Sequence, residues 1–307
     1  MEGVHFMAHF RDRWKAIAAM VLLLIGIGLV SYPFLGSFLS RLTQSQAIDG
    51  YLSDVASEDT LEMEAQIQQA RDYNQRLLNS SAVMTEPFSM ESFQDALEGY
   101  DDILKINDTG IMGYLDIPSI SVHLPIYHGT GTYALQHGVG HLKTTSFPVG
   151  GDSAHAVLSA HSGLPNAAMF DRLPEMEVGD TFSVTILSQT IYYQVYDIET
   201  VLPDQTASLY IQEGKDLVTL VTCTPYGINT HRLLVHAERV FGLEGKEDIA
   251  DNHNSDSAVT EGTSTWGKVA LLILMVGSFI TFVIVFGLFA QKIIPKIYTL
   301  KFKKGQK

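Results

Sequence analysis

Two uncharged apolar stretches, one near each end of the 307-residue chain, limit what everything between them can become. Ala16 to Val30 carries no charge and is extended by Tyr32, Pro33, Phe34, Leu35 and Phe38, while Val269 to Ala290 runs for 22 uncharged residues. A helix of about 20 apolar residues crosses a bilayer, so the second stretch is expected to span, with Trp266 as an interfacial anchor at its outer edge. The first fits an uncleaved anchor or a signal peptide, and no clear A-x-A cleavage site follows it. Arg11, Arg13 and Lys15 precede the first stretch, and Lys292, Lys296, Lys301, Lys303, Lys304 and Lys307 follow the second. Basic flanks stay in the cytoplasm. Both ends are therefore expected inside, in contact with membrane lipid, and the middle outside the cell.

That middle part is acidic. Residues 40–267 hold 10 of the 20 Lys and Arg but 32 of the 34 Asp and Glu, a net charge of −22. Such a surface repels a phosphate backbone, so nucleic acid is excluded as a partner. The chain has a single cysteine, Cys223, which rules out an internal disulfide. Outside the cell an exposed spare thiol is open to oxidation. Cys223 is then either an inert buried thiol packed as a small hydrophobe or a working nucleophile.

Its surroundings favour the nucleophile. Leu217 to Thr222 is a β-branched, apolar run that ends at Cys223, and Pro225, Gly227 and Asn229 break it. Leu233 to Ala237 reads as a second strand with Arg232 at its first position. The pattern predicts cysteine and arginine facing each other across a loop mouth. A thiol attacks as thiolate, which a neighbouring cation favours. Arg232 is a fixed cation with several donors suited to an oxyanion.

Between the first apolar stretch and this hairpin, residues 44–78 are polar, acidic and rich in helix formers, with a helix start at Ser57, Asp59 or Thr60. Leu61, Ile67, Ala70, Tyr73 and Leu77 can share one face. This is either a stalk or an arm packed on the following domain. A loop at residues 79–92 centres on Glu86, Pro87 and Phe88, where proline stiffens the presentation of an acid and an aromatic. From Ile111 to Val240 short β segments alternate with turns, as in a β barrel or sandwich. Strands are expected at 111–117, 122–126, 154–161, 181–186, 191–201, 217–222 and 232–240, with helical turns at 132–137 and 167–172. Residues 244–265 form a polar linker without periodicity.

A cysteine nucleophile needs a base, and the chain has 11 histidines. His161 ends the run Ala154 to Ala160 at the start of a loop, mirroring Cys223. His155 and His236 lie inside strands, where a satisfied core histidine is expected. His128, His137 and His141 flank glycine turns. His231 adjoins Arg232, but successive strand residues point to opposite faces, so an Arg232 that faces Cys223 turns His231 away. No HExxH or paired cysteines argue for zinc, and no metal is expected.

The residues Thr219 to Cys223 (TLVTC), with Arg232 nine positions on, and Ser159 to Gly163 (SAHSG) resemble the sortases, membrane-bound cysteine transpeptidases of Gram-positive bacteria. GYLDIP at Gly113 to Pro118 and LPIYHGT at Leu124 to Thr130 extend the similarity. The second apolar stretch and the Glu-Pro-Phe loop look like class C, the pilin polymerases, whose lid carries an Asp-Pro-aromatic motif; here Glu86 stands in place of Asp. The resemblance implies a mainly β fold, an eight-stranded sortase barrel with short helices, a helical and lid region before it, and flanking transmembrane helices. It implies attack by Cys223 on the Thr-Gly bond of an LPxTG-like signal, proton donation by His161, oxyanion support by Arg232, and resolution by a lysine of another pilin subunit, without a cofactor. Glu86 would meet Arg232 and Phe88 would cover Cys223. A wall-anchoring sortase using a peptidoglycan-precursor amine is the alternative, and a tethered binding module the distant one. The expected layout is a cytoplasmic N-terminus (1–15), an anchor or signal (16–39), an arm and lid (40–107), the catalytic barrel (108–242), a linker (243–266), a transmembrane helix (267–290) and a basic cytoplasmic tail (291–307).

Overall fold

The computed structural model describes residues 2–79 and 99–242. These fall in the first of two units, Met1–Glu244 and Gly245–Lys307. The lid residues Glu86, Pro87 and Phe88, the polar linker, Trp266, the second apolar stretch and the basic tail lie outside the described residues.

Helix α1 spans Glu2–Ser57 and contains Pro33. One segment of it is long and apolar enough to cross a membrane, in keeping with its uncharged composition. Further on the helix becomes amphipathic: Gln44, Ile48, Tyr51 and Val55 recur at three- and four-residue spacing and are buried. The Tyr51 hydroxyl donates to the Met112 carbonyl at 2.8 Å and accepts from the Leu187 amide at 2.7 Å. Helix α2, Thr60–Asn79, starts where Asp59 Oδ1 accepts from the Leu61 amide at 2.9 Å, an N-cap. It buries Ile67, Ala70, Tyr73, Asn74 and Leu77. The two helices are thus a packed arm rather than a stalk. Leu61, expected on the buried face, is 74% exposed because it sits on the first turn, before the helix meets the barrel. Asn74 holds both the amide and the carbonyl of Phe147, at 2.7 and 3.0 Å. Each large apolar side chain buried in this way contributes roughly 1.5–3 kcal/mol.

The barrel consists of β1 (Ile111–Ile117), β2 (Val122–His128), β3 (Val139–His141), β4 (Ala154–Ser159), β5 (Thr181–Ile186), β6 (Gln189–Val201), β7 (Asp216–Thr224) and β8 (His231–Val240). Its closed order is β1-β2-β3-β4-β7-β8-β6-β5, with β1 pairing β5 to complete the ring. Closure leaves no unpaired edge. Alternation along β7 sends Val218 and Leu220 into the main core and Val221 into a small second cluster with Val157, Leu209 and Leu234. Gly113 is required where β1 crosses β5, since a Cβ there would lie 2.2 Å from the Thr185 carbonyl oxygen.

Seven strands match the sequence pattern closely, and the eighth is β3, three residues paired parallel to β2 and antiparallel to β4. Helix α3 occupies Thr132–His137 as expected. The helical turn expected at 167–172 is present as two i→i−3 turns, closed by the Asp171 amide on the Ala168 carbonyl and the Leu173 amide on the Phe170 carbonyl, which lead into a 3-10 turn at Leu173–Glu175. Pro174 supplies the fixed φ of the first turn of this 3-10 segment.

Candidate active site

The β7–β8 hairpin sets two of the expected residues opposite each other. Cys223 and Arg232 are direct register partners, and Thr224 pairs with His231. Neighbouring pairs in an antiparallel ladder face opposite sides, so His231 points away from the face shared by Cys223 and Arg232. Its ring meets the Thr230 hydroxyl at 2.9 Å. Strand β7 runs one residue past the sulfur and β8 begins one residue before the arginine.

The third residue arrives on the neighbouring strand. β4 and β7 are parallel, with Ser159 beside Val221. Three hydrogen bonds carry that pairing beyond the end of β4: the Ala160 amide donates to the Val221 carbonyl at 3.1 Å, the Thr222 hydroxyl to the Ala160 carbonyl at 2.8 Å, and the Ser162 hydroxyl to the Cys223 carbonyl at 2.6 Å. His161 lies between the last two anchors. It is stitched to the strand that carries the cysteine even though 62 positions separate Thr222 from Ala160. Gly163, in the left-handed region at φ +82°, then turns the chain close to the Tyr226 ring.

His161, Cys223 and Arg232 line one cavity of about 360 Å³. Its other walls are mostly apolar: Leu135 of α3, Leu142, Val157 of β4, Val201 of β6, Leu209 and Leu234 of β8. Cys223 is half-buried, so the thiol is reachable. The Arg232 guanidinium donates to the carbonyls of His231 and Asn229, at 3.0 and 3.3 Å. Among the described residues no carboxylate lies within ion-pair distance of it.

Beneath the cavity, on the same outer face of β4, β7 and β8, runs a buried polar row. His155 Nδ1 meets the Tyr210 carbonyl at 2.9 Å, His155 Nε2 meets Thr219 Oγ1 at 2.7 Å, Thr219 Oγ1 meets His236 Nδ1 at 2.8 Å, and His236 Nε2 meets Glu199 at 3.1 Å. The Tyr210 carbonyl only accepts, so His155 carries its proton on Nδ1 and receives the Thr219 hydroxyl at Nε2. Burial lowers the His155 pKa to about 4 and keeps it neutral. Glu199 is held below the usual carboxylate range by the Ser208 hydrogen bond and by His236. His155 and His236 are therefore satisfied core histidines. So is His141, wholly buried with its pKa lowered to about 3 by desolvation, and bonded to the Tyr100 hydroxyl and the Ser146 carbonyl.

Sequence reasoning missed what the two threonines of TLVTC do. Thr219 closes the buried row and Thr222 pins the loop that carries His161. Two threonines three positions apart in an otherwise apolar strand are the only trace of this. The apolar cavity walls were equally unassigned, since their convergence depends on the barrel order.

Residues 115–240 match the Sortase domain family. Sortase C1 of Streptococcus agalactiae has a similar structure, 44% identical with a TM-score of 0.59, covering 64% of this chain and 99% of that one. The chain belongs to the sortase family. Sortase C of Streptococcus pneumoniae is 38% identical, with a TM-score of 0.56, covering 64% and 96% of the two chains. Sortase D of Bacillus subtilis is 31% identical over 131 residues, 42% of this chain and 63% of that protein. The neighbours place this sortase in class C, and its fold is the closed sortase barrel. Sortases are cysteine transpeptidases, and Cys223 is the one cysteine available for that chemistry.

Proposed function

We propose that this sortase polymerises pilins: it cleaves an LPxTG-like sorting signal between Thr and Gly and passes the acyl group to a lysine of another subunit. The observation that carries the reading is the convergence of His161, Cys223 and Arg232 on one apolar-walled cavity. Support for the substrate comes from the neighbours, one being the sortase C1 of a pilus island and another a sortase whose structure addresses pilin substrate specificity.

In this mechanism the Cys223 thiolate attacks the Thr carbonyl and Arg232 faces the oxyanion of the tetrahedral adduct. The C–N bond breaks as the His161 imidazolium protonates the departing Gly amine, leaving a thioacyl enzyme. A lysine amine then attacks the thioester, gives its proton to His161 and expels the thiolate. Apolar walls suit the Leu and Pro side chains of the signal. In the resting enzyme Glu86 pairs with Arg232 while Phe88 covers the sulfur. The apolar part of α1 anchors the enzyme in the cell membrane with the barrel outside, and 267–290 forms a second span with a cytoplasmic tail.

Incubation of the full chain with an LPxTG peptide should give a mass adduct of the N-terminal fragment on Cys223. Transfer of that fragment to a pilin lysine supports polymerisation. Transfer to a peptidoglycan-precursor amine alone replaces it with wall anchoring, and absence of any adduct overturns the transpeptidase reading.

A further inference from the structure

The loop that holds His161 is braced on two sides. Towards β7 it has the Thr222 and Ser162 hydrogen bonds already described. Within itself it is closed: the Phe170 amide donates to the His161 carbonyl at 3.0 Å, and the Gly163 amide to Asp171 Oδ1 at 2.7 Å, so residues 161–171 form one knot on a buried base of Met169 and Phe170. A body this tightly bonded moves as a whole.

Its other side lies on α1. Gly36 approaches so closely that a Cβ built on it would fall 2.9 Å from Asn166 Cβ and 3.0 Å from Asn166 Cα. Two turns further along the helix, Gln44 Nε2 reaches Met169 Sδ at 3.3 Å. A glycine inside a helix costs about 1 kcal/mol relative to alanine, and here it permits a backbone-to-backbone approach that no other residue allows. Gly26, Gly28 and Gly50 of the same helix have nothing within 4 Å of an added Cβ. Gly36 is also where shielding of α1 begins, since residues 29–35 are exposed and 36–38 are half-buried.

We propose that α1 is a positioning element of the active site: contact of Gly36 with Asn166 sets the His161 loop against β7, so the helix that leaves the apolar segment fixes where the imidazole stands. The proposal rests on the transpeptidase reading above and concerns a residue that touches no substrate. Displacement of the loop moves His161, while Cys223 and Arg232, fixed by the β7–β8 register, stay in place.

The test compares Gly36→Ala, Gly36→Leu and the control Gly28→Ala in the full chain, held in lipid nanodiscs. Alanine is the better helix former, so a loss at position 36 does not come from a weakened helix. Two readouts are taken: hydrogen exchange at the Gly163 and Phe170 amides, which needs no activity, and kcat and KM for sorting-signal cleavage. The expected result is faster exchange in both Gly36 variants and a kcat lowered by about tenfold or more, largest for Leu, with KM within about twofold; Gly28→Ala matches the parent chain. Unchanged exchange in Gly36→Leu overturns the contact, and faster exchange with unchanged kcat overturns its catalytic consequence. A parent chain that exchanges normally but forms no thioacyl adduct overturns the transpeptidase reading itself, and the positioning role falls with it.

Discussion

The Thr222 hydroxyl donates to the carbonyl of Ala160, so the residue before the nucleophile holds the residue before the histidine. That single bond, with the Ser162 bond to Cys223 beside it, seats His161 rather than His231 at the cavity that Cys223 lines. Cys223→Ala is expected to abolish acyl transfer with a thermal midpoint close to the parent's, because a half-buried sulfur at a strand end contributes little packing. His161→Ala should remove nearly all transfer, while His231→Ala keeps most of it. Equal losses in the two histidine variants, read from pilin ladders on a gel, would reverse the assignment.

Thr219 sits between two wholly buried imidazoles. Thr219→Val keeps the shape but leaves His155 Nε2 and His236 Nδ1 without a partner. Each buried unsatisfied group costs about 1–3 kcal/mol, so with two of them the variant should lose roughly 2–6 kcal/mol in denaturant unfolding. A loss below about 0.5 kcal/mol would show that the row is not a structural tie.

Acid should destabilise the barrel through two buried histidines, His155 and His141. Burial lowers His155 to about 4 and His141 to about 3, against 6.5 unfolded. Well above pH 6.5 both are neutral in either state and nothing changes. As pH falls from 6.5 to about 4 the unfolded chain takes up protons that the folded one refuses, so stability falls, by about 3 kcal/mol at most for each group. His123, raised by its hydrogen bond to Asp116, opposes this weakly because it is half-exposed. A thermal midpoint that stays level from pH 7 to pH 4.5 contradicts this account.

The proposed lid is open to a direct test. Pairing with Glu86 is worth at most about 1 kcal/mol at a partly exposed site, and cover by Phe88 roughly 1–2 kcal/mol more. Replacing Glu86 and Phe88 together by Ala is expected to speed modification of Cys223 by a small thiol reagent, raise cleavage of a free signal peptide, and lower thermal stability slightly. Wild-type reactivity at matched pH and salt would show that this loop is no lid.

Strands with long β-branched runs, such as Leu217 to Thr222, were legible because burial on one or both faces leaves a pattern that depends only on neighbours in sequence. Strand β3 was not: Val139, Gly140 and His141 are too few to show a period, and their pairing is with distant residues. The facing of Cys223 and Arg232 followed from strand alternation across a hairpin, which is local. The seating of His161 beside them was reached by analogy of position and depends on β4 lying next to β7, which no local pattern encodes. The threonine ties and the Gly36 approach belong to that same hidden level. The turn expected at 167–172 was legible in part, since its i→i−3 bonds form without continuing into an α-helix.

Parallel placement of β4 and β7 has a consequence for how such an enzyme diversifies. Strands that run side by side in one direction release their chains at the same rim, and each must return by its own route, through residues 160–180 in one case and 225–230 in the other. Cys223 thus stands on a strand end, whereas His161 opens the first excursion, two residues past the end of β4, and is tied back to β7 by the Thr222 and Ser162 bonds. The 225–230 excursion, and the part of the first that follows Asp171, can be lengthened without touching the bonds that seat His161, so the rim is free to drift while the cavity residues stay fixed.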